Sequence, residues 1–295
     1  MVMAPIAAKS GKDDSMKSTL KRALALILMA VLLLSNVNLF PAASAAALFY
    51  GDYTDARKVY DSNSCPSMQG LAVGSQYLYT IKIKTDNSRA VITRTDKDTG
   101  SYTTLTDAST GYSYLTGLDH ANDMAVWGID SKSHLFIGTT LQGSNAIIRY
   151  RVNGTTLEKV ASYHLTCDGE DICATALDVM KVDSSGYIHL ITKWGQTIYT
   201  GTVHKDAGSN PTVAMTELCT ISKELAYIKG EKLDLSDWVN QGFGYYDNTL
   251  FVPLSGPDDQ LNRSVVLVYD LANVQQGSTI YPTDSVVFRV TSGAY

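Results

Sequence analysis

Short apolar runs broken by polar positions, with no lasting helical period of 3.6, organise residues 46–295. Four of them read as the same strand: "YLYTIKI" (77–83), "HLFIGTT" (134–140), "YIHLITK" (187–193) and "TLFVPLS" (249–255). Each run is rich in aromatic and β-branched residues, which suit a pleated, half-buried surface. Their starts lie 57, 53 and 62 residues apart. Each is preceded by a shorter apolar strand: "QGLAV" (69–73), "NDMAV" (122–126), "ALDVMKV" (176–182) and "QGFGYY" (241–246). Each is followed by another: "AVITRTD" (90–96), "AIIRYRV" (146–152), "TIYTGTV" (197–203) and "VVLVYDL" (265–271). An outer strand follows in "SYTTLT" (101–106) and "EKVASYHL" (158–165).

Four-stranded antiparallel units at such a period predict an all-β fold, a β-propeller of about five blades. A β-sandwich or β-solenoid is the alternative. Ring closure removes exposed sheet edges. The closing blade is expected to join "LFYGDYTDARKVYDS" (48–62) to "SVVFRVTSGAY" (285–295). Only "ISKELAYIKGEKLDLSDW" (221–238) offers a turn or two of helix.

The first 45 residues read differently. Lys17, Lys21 and Arg22 precede the apolar run Ala23 to Leu34, and "FPAASAAA" follows. That is a secretory signal peptide, with cleavage after Ala45. Residues 1–15 are an extended n-region, or Met16 is the true start. A retained anchor is the alternative, although the run is short for a membrane span. Residues 46–295 form one domain, secreted or cell-wall associated, with no membrane contact after cleavage.

Charge narrows the partners. The whole chain carries −5, and the leader holds more Lys and Arg than Asp and Glu. The exported part is therefore more acidic still. With no basic run, it excludes nucleic acid and anionic lipid as partners. The chain is expected to act as a monomer.

All four cysteines, Cys65, Cys167, Cys173 and Cys219, fall in the exported part. An oxidising compartment permits disulfides. "CDGEDIC" closes a short loop, so a Cys167–Cys173 bridge is expected, with Cys65–Cys219 as a long-range staple. Zinc is disfavoured, because no Cys-x-x-Cys or His pair at ligand spacing accompanies them.

The densest polar packet is "GLDHANDMAV" (117–126). Gln69, Asn122 and Gln241 open equivalent inner strands, with Thr175 in the third unit. They are expected to ring one mouth of the central channel, either satisfying buried strand ends or forming the floor of a ligand pocket. His120 and Asp123 stand at the same junction, and Asp178 is the counterpart of Asp123. These six, Gln69, His120, Asn122, Asp123, Asp178 and Gln241, are the candidate ligand-binding residues. No cofactor is implied. Ca²⁺ is the one metal that facing carboxylates here would suit, and Asp258, Asp259 and Asn262 form a second, looser set for it. Two such carboxylates also suit general acid and base roles on a glycosidic bond. Glutamines in the first and fourth units, where further acids would be needed, weigh against that. There is no nucleophile elbow, P-loop or G-x-G-x-x-G.

"MQGLAVGSQYLYTIKI", "HANDMAVWGIDSKSHLFIGT" and "QGFGYYDNTLFVPLSG...VVLVYDL" together resemble secreted β-propellers of Gram-positive bacteria, in particular the helveticin J-like bacteriocin group. The resemblance spans roughly residues 65–271. It implies a propeller, export and an antagonistic activity. Two functions follow. One is a non-catalytic propeller binding a cell-surface glycan or protein. The other is a secreted glycoside hydrolase or lyase working at the channel mouth. The 18 tyrosines serve the first reading where they reach a rim, because an aromatic face stacks on apolar surface while its hydroxyl hydrogen-bonds.

Overall fold

A computed structural model describes residues 64–295, apart from 229, 241, 258–262 and 290–295. The expected signal peptide, the N-terminal half of the expected closing blade, residues 258–262 with Asp258, Asp259 and Asn262, and Gln241 lie outside the described residues.

Among the described residues, four antiparallel meanders follow one another along the chain. Blade one is Ser67–Val73, Tyr77–Ile83, Ala90–Asp96 and Tyr102–Thr104, in that order. Blade two is Asp123–Ile129, Lys132–Gly138, Ile147–Asn153 and Thr156–Cys167. Blade three is Ala176–Val182, Tyr187–Trp194, Thr197–His204 and Thr212–Ile221. Blade four has a split inner strand, Val239–Asn240 and Gly244–Tyr246, then Thr249–Ser255, Arg263–Asp270 and Asp284–Arg289. The inner strand of each blade packs beside that of the next, from one through four. Successive meanders with neighbouring inner strands are the arrangement of a β-propeller, not of two stacked sheets. The protein is an all-β propeller.

Burial alternates along the second strand of blade four. In Thr249–Ser255, Leu250, Val252 and Leu254 are buried while Phe251, Pro253 and Ser255 are exposed. Three apolar clusters fill the wedges. Tyr79, Ile81, Leu135 and Tyr150 join blades one and two. Phe136, Tyr163, Leu190 and Val213 join two and three. Ile191, Cys219, Leu250 and Tyr269 join three and four. Burying such side chains contributes about 1.5–3 kcal/mol each, so the wedges carry most of the ring's stability.

Outer strands are also stitched together. His164–Thr166 equivalents of blade two run parallel to Thr212, Val213 and Ala214 of blade three. Cys219, Thr220 and Ile221 pair in parallel with Ser278, Thr279 and Ile280. These short ladders cover edges that would otherwise invite aggregation.

Three expectations change. Asp284–Arg289 pairs with Arg263–Asp270 as the outer strand of blade four, so the C-terminal segment belongs to that blade. The described residues of 221–238 form no α-helix. They hold a two-residue hairpin, Tyr227–Ile228 with Glu231–Lys232, because Gly230 at φ +83 favours a turn. Neither expected disulfide is present, and all four cysteines are free. Cys167 faces Glu170 across a tight hairpin, and the Ile172 amide bonds back to Leu165. Cys173 therefore runs about 10 Å along the ladder from the position opposite Cys167, beyond the reach of a disulfide. Cys65 sits in blade one with its thiol toward the Arg89 carbonyl, whereas Cys219 is sealed in the wedge between blades three and four.

Candidate functional site

The packet at 117–126 is a tightly wound junction. Gly117, Asp119 and Ala121 all have positive φ, at +73, +48 and +47. For a buried alanine that conformation is strained. Tertiary bonds hold it: the Thr140 hydroxyl donates to Asp119 Oδ2 at 3.0 Å, and the Ala121 amide to the Leu118 carbonyl. The twist feeds Asn122 and Asp123 onto the inner strand of blade two, at the axis.

Asn122 and Asp123 each reach the next blades. The Asn122 side-chain amide donates to the Thr175 carbonyl at 2.6 Å. Thr175 in turn donates its hydroxyl to the Lys193 carbonyl at 2.8 Å. The Asp123 carboxylate accepts three backbone amides. Met124 donates to Oδ1 at 2.9 Å, Leu177 to Oδ2 at 3.0 Å and Phe243 to Oδ2 at 3.3 Å. One side chain thus binds the inner strands of blades two, three and the start of four.

Burial sets its chemistry. Asp123 is 6% exposed. Desolvation pushes its carboxyl up to about 8, against the pull of the three amides, and neighbouring Asp178 adds a smaller upward push. Asp178 is half-buried and repeats the theme. Its Oδ1 accepts the Val179 amide at 2.7 Å and its Oδ2 the Tyr245 amide at 2.8 Å. Burial lifts it to about 6. Lys193, buried nearby, is lowered by desolvation, with Asp123 opposing. Close approach is enforced by glycine. A Cβ on Gly242 would sit 3.1 Å from Asp123 Oδ1, and one on Gly138 only 2.6 Å from the Ala174 carbonyl.

The structure brings Asn122, Asp123 and Asp178 together at the axis. Gln69 is half-buried on the inner strand of blade one, its Oε1 shielded and without a partner. His120 is half-buried on the junction. Among the described residues, no three His, Cys, Asp or Glu side chains converge to hold a metal ion. A cavity of about 760 Å³ lies elsewhere, beside Thr220–Glu224 and Lys232–Ser236.

The tyrosines divide by place. Tyr79 and Tyr163 are core wedges. Tyr77 lies under Arg94, with the guanidinium carbon 4.6 Å from its ring centre. Tyr112 and Tyr114 stack at 5.0 Å and 12° on the connection leading to the 117–126 junction, with Arg89 over Tyr114. Tyr112 is 55% exposed. This pair lies just ahead of the axial packet in sequence.

No family model matches the chain, and no curated protein matches it. Solved structures do. The RS223 β-xylosidase shares 9% identity, with 75% of this chain and 76% of that one covered and a TM-score of 0.42. CoXyl43, a GH43 β-xylosidase/α-arabinofuranosidase from a compost microbial metagenome, shares 14%, with 76% of each chain covered and a TM-score of 0.44. AztD from Citrobacter koseri shares 12%, covering 78% of this chain and 52% of that one, with a TM-score of 0.33. No residue role passes from these proteins to this one.

Proposed function

We propose that this is an exported carbohydrate-binding propeller that holds a cell-surface polymer at one rim of its ring without cleaving it. The observation that carries the reading is the state of Asp123. Its oxygens already accept three backbone amides, and it is sealed from solvent. A general acid or base must come within about 2.6–3.2 Å of the proton it moves. A carboxylate locked inside the strand ends is a clamp for the ring. The exposed Tyr112–Tyr114 stack supplies a face on which a sugar ring can lie. His120, at the end of the same connection, supplies a hydrogen-bonding group. Similarity to the helveticin J-like group adds an antagonistic role on a target cell surface.

The hydrolase reading has one observation in its favour. Asp178 is only half-buried, and its carboxyl stands at about 6 beside a second raised carboxyl. Perturbed pairs of that kind mark many active sites. The solved structures that resemble the chain include β-xylosidases, so xylan and arabinan are the first polymers to offer. A glycan array run beside a reducing-sugar assay decides between the two. Retention of a glycan without release of reducing ends supports binding. Release of reducing ends supports hydrolysis.

A further inference from the structure

The sequence of the third strand of blade two, "IIRYRVN", places Arg149 and Arg151 on one face, two residues apart. Ile147 shares that face and packs in the wedge toward blade three. The wedge is apolar at this end, with Phe136 and Tyr163. Beyond Phe136 it turns basic, because His134 pairs with Arg151 in the ladder as Phe136 pairs with Arg149. The result is a cleft of about 620 Å³ between blades two and three, lined by Asp130, Lys132, His134, Arg149, Arg151 and Lys205.

Arg149 is the unusual member. It is 4% exposed. Its Nη2 donates to the Lys205 carbonyl at 2.8 Å, which ties blade two to blade three. Its Nε and Nη1 are buried and have no hydrogen-bond partner. The Tyr163 hydroxyl lies beside the guanidinium and feels its charge. A guanidinium never loses its charge in a protein, so it needs acceptors. His134 Nδ1 is also buried and unpartnered. Burial, then the charges of Arg149 and Arg151, hold this imidazole down at about 4, so it enters the cleft neutral. Two neighbours are already engaged: Lys205 with Asp130 at 2.6 Å, and Arg151 with Glu158 at 2.7 Å. Asp206 is the second acid in the lining. With Glu158 counted, four cations face three acids, and Arg149 and Lys132 are the cations of the lining outside these two ion pairs, in a chain whose net charge is −5.

We propose that this cleft is an oxyanion site, taking a carboxylate or sulfate group through Arg149, with Lys132 and Arg151 at its mouth. The position is apart from the axial junction, and the proposal does not depend on the binding reading given above. Arg149 supplies fixed, desolvated donors, which recognise an oxyanion better than a lysine does. The cleft volume admits a group on a larger molecule, such as an acidic sugar.

The test is NMR of the ¹⁵N-labelled protein, following arginine Nε–H signals. Sodium sulfate and sodium glucuronate are titrated separately, against sodium chloride at equal ionic strength. The expected result is a saturable shift of the Arg149 signal at millimolar ligand, absent with chloride. A sulfate response alone assigns a sulfate-type site, and a glucuronate response a carboxylate site. Arg151→Gln and Lys132→Gln, both outside the buried core, should weaken binding at least threefold and keep the folded spectrum. Arg149→Lys should abolish it. No shift beyond the chloride control would overturn the proposal. So would wild-type affinity in both Arg151→Gln and Lys132→Gln, a comparison that stands even where Arg149→Lys fails to fold.

Discussion

The Phe243 amide donates to the Asp123 carboxylate at 3.3 Å across 120 residues of sequence. It joins the fourth blade to the second, on the same oxygen that holds Leu177 of the third. Asp123 is thereby a fastener of the ring, and several consequences are measurable.

Its ionisation should govern stability near neutrality. Asp123 stays protonated in the fold up to about pH 8, whereas in the unfolded chain it ionises near 3.8. Between these values the native state holds a proton that the unfolded state has lost, so stability falls as pH rises. His134, lowered to about 4, acts in the opposite direction only up to its ordinary value of 6.5. Asp178, raised to about 6, adds to the decline but is almost fully ionised above about pH 7, so the window from 7 to 8 isolates Asp123. Denaturant melts there should show a decline of up to about 1.4 kcal/mol per pH unit. Asp123→Asn should flatten it. A wild-type curve without that decline would show the carboxylate ionised.

Asn122→Ala removes the donor to the Thr175 carbonyl. The expected cost is about 1–2 kcal/mol, read as a fall of a few degrees in Tm for a domain of this size, roughly 2–4 °C per kcal/mol. His120→Ala should leave Tm within a degree or so and alter glycan retention instead. Equal destabilisation by both would remove the distinction between fastener and ligand contact.

Glycine positions give a matched pair. Gly138→Ala sets a Cβ 2.6 Å from the Ala174 carbonyl, in backbone that cannot swing aside. It should cost about 1–3 kcal/mol as blades two and three are pushed apart. Gly128→Ala, on the inner strand of the same blade, meets nothing within 4 Å. That variant should be neutral or slightly more stable, since alanine restricts the unfolded chain. Thermal melts of the two, run together, check the packing directly.

With every thiol free, reductant should leave Tm unchanged. An Ellman's assay on the folded protein should titrate Cys167 first, because it is only half-buried. Cys219, fully buried with its thiol pushed up to about 11 by desolvation, should react only on unfolding. A drop in Tm on reduction would show a bridge.

How much of this was legible in sequence follows from the range of each interaction. The aromatic- and β-branched-rich runs 77–83, 90–96 and 249–255 coincide with strands of the structure, because such side chains suit a pleated, packed surface. The Asp183 turn is set by an equally local interaction: its Oδ1 accepts the Ser185 and Tyr187 amides at 2.9 and 3.0 Å. Hidden were the partners of Asp123 and Asp178. Which amide a carboxylate meets across 54, 67 or 120 residues is decided by ring packing. The cysteine pairing failed for a related reason. A count of residues between Cys167 and Cys173 says nothing of the hairpin register that separates them. Arg149 and Arg151 carried a signal that sequence reading passed over: two charges on a strand face that otherwise points into a core.

The most direct test is reducing-end release from xylan and arabinan by the purified protein, assayed beside Asp123→Asn. The account predicts no release above the blank from either protein, with retention of at least one polymer by wild type and a lower or pH-flattened stability in the variant. Release by wild type that vanishes in Asp123→Asn, with Tm and its pH profile unchanged, would contradict it and make Asp123 a catalytic residue.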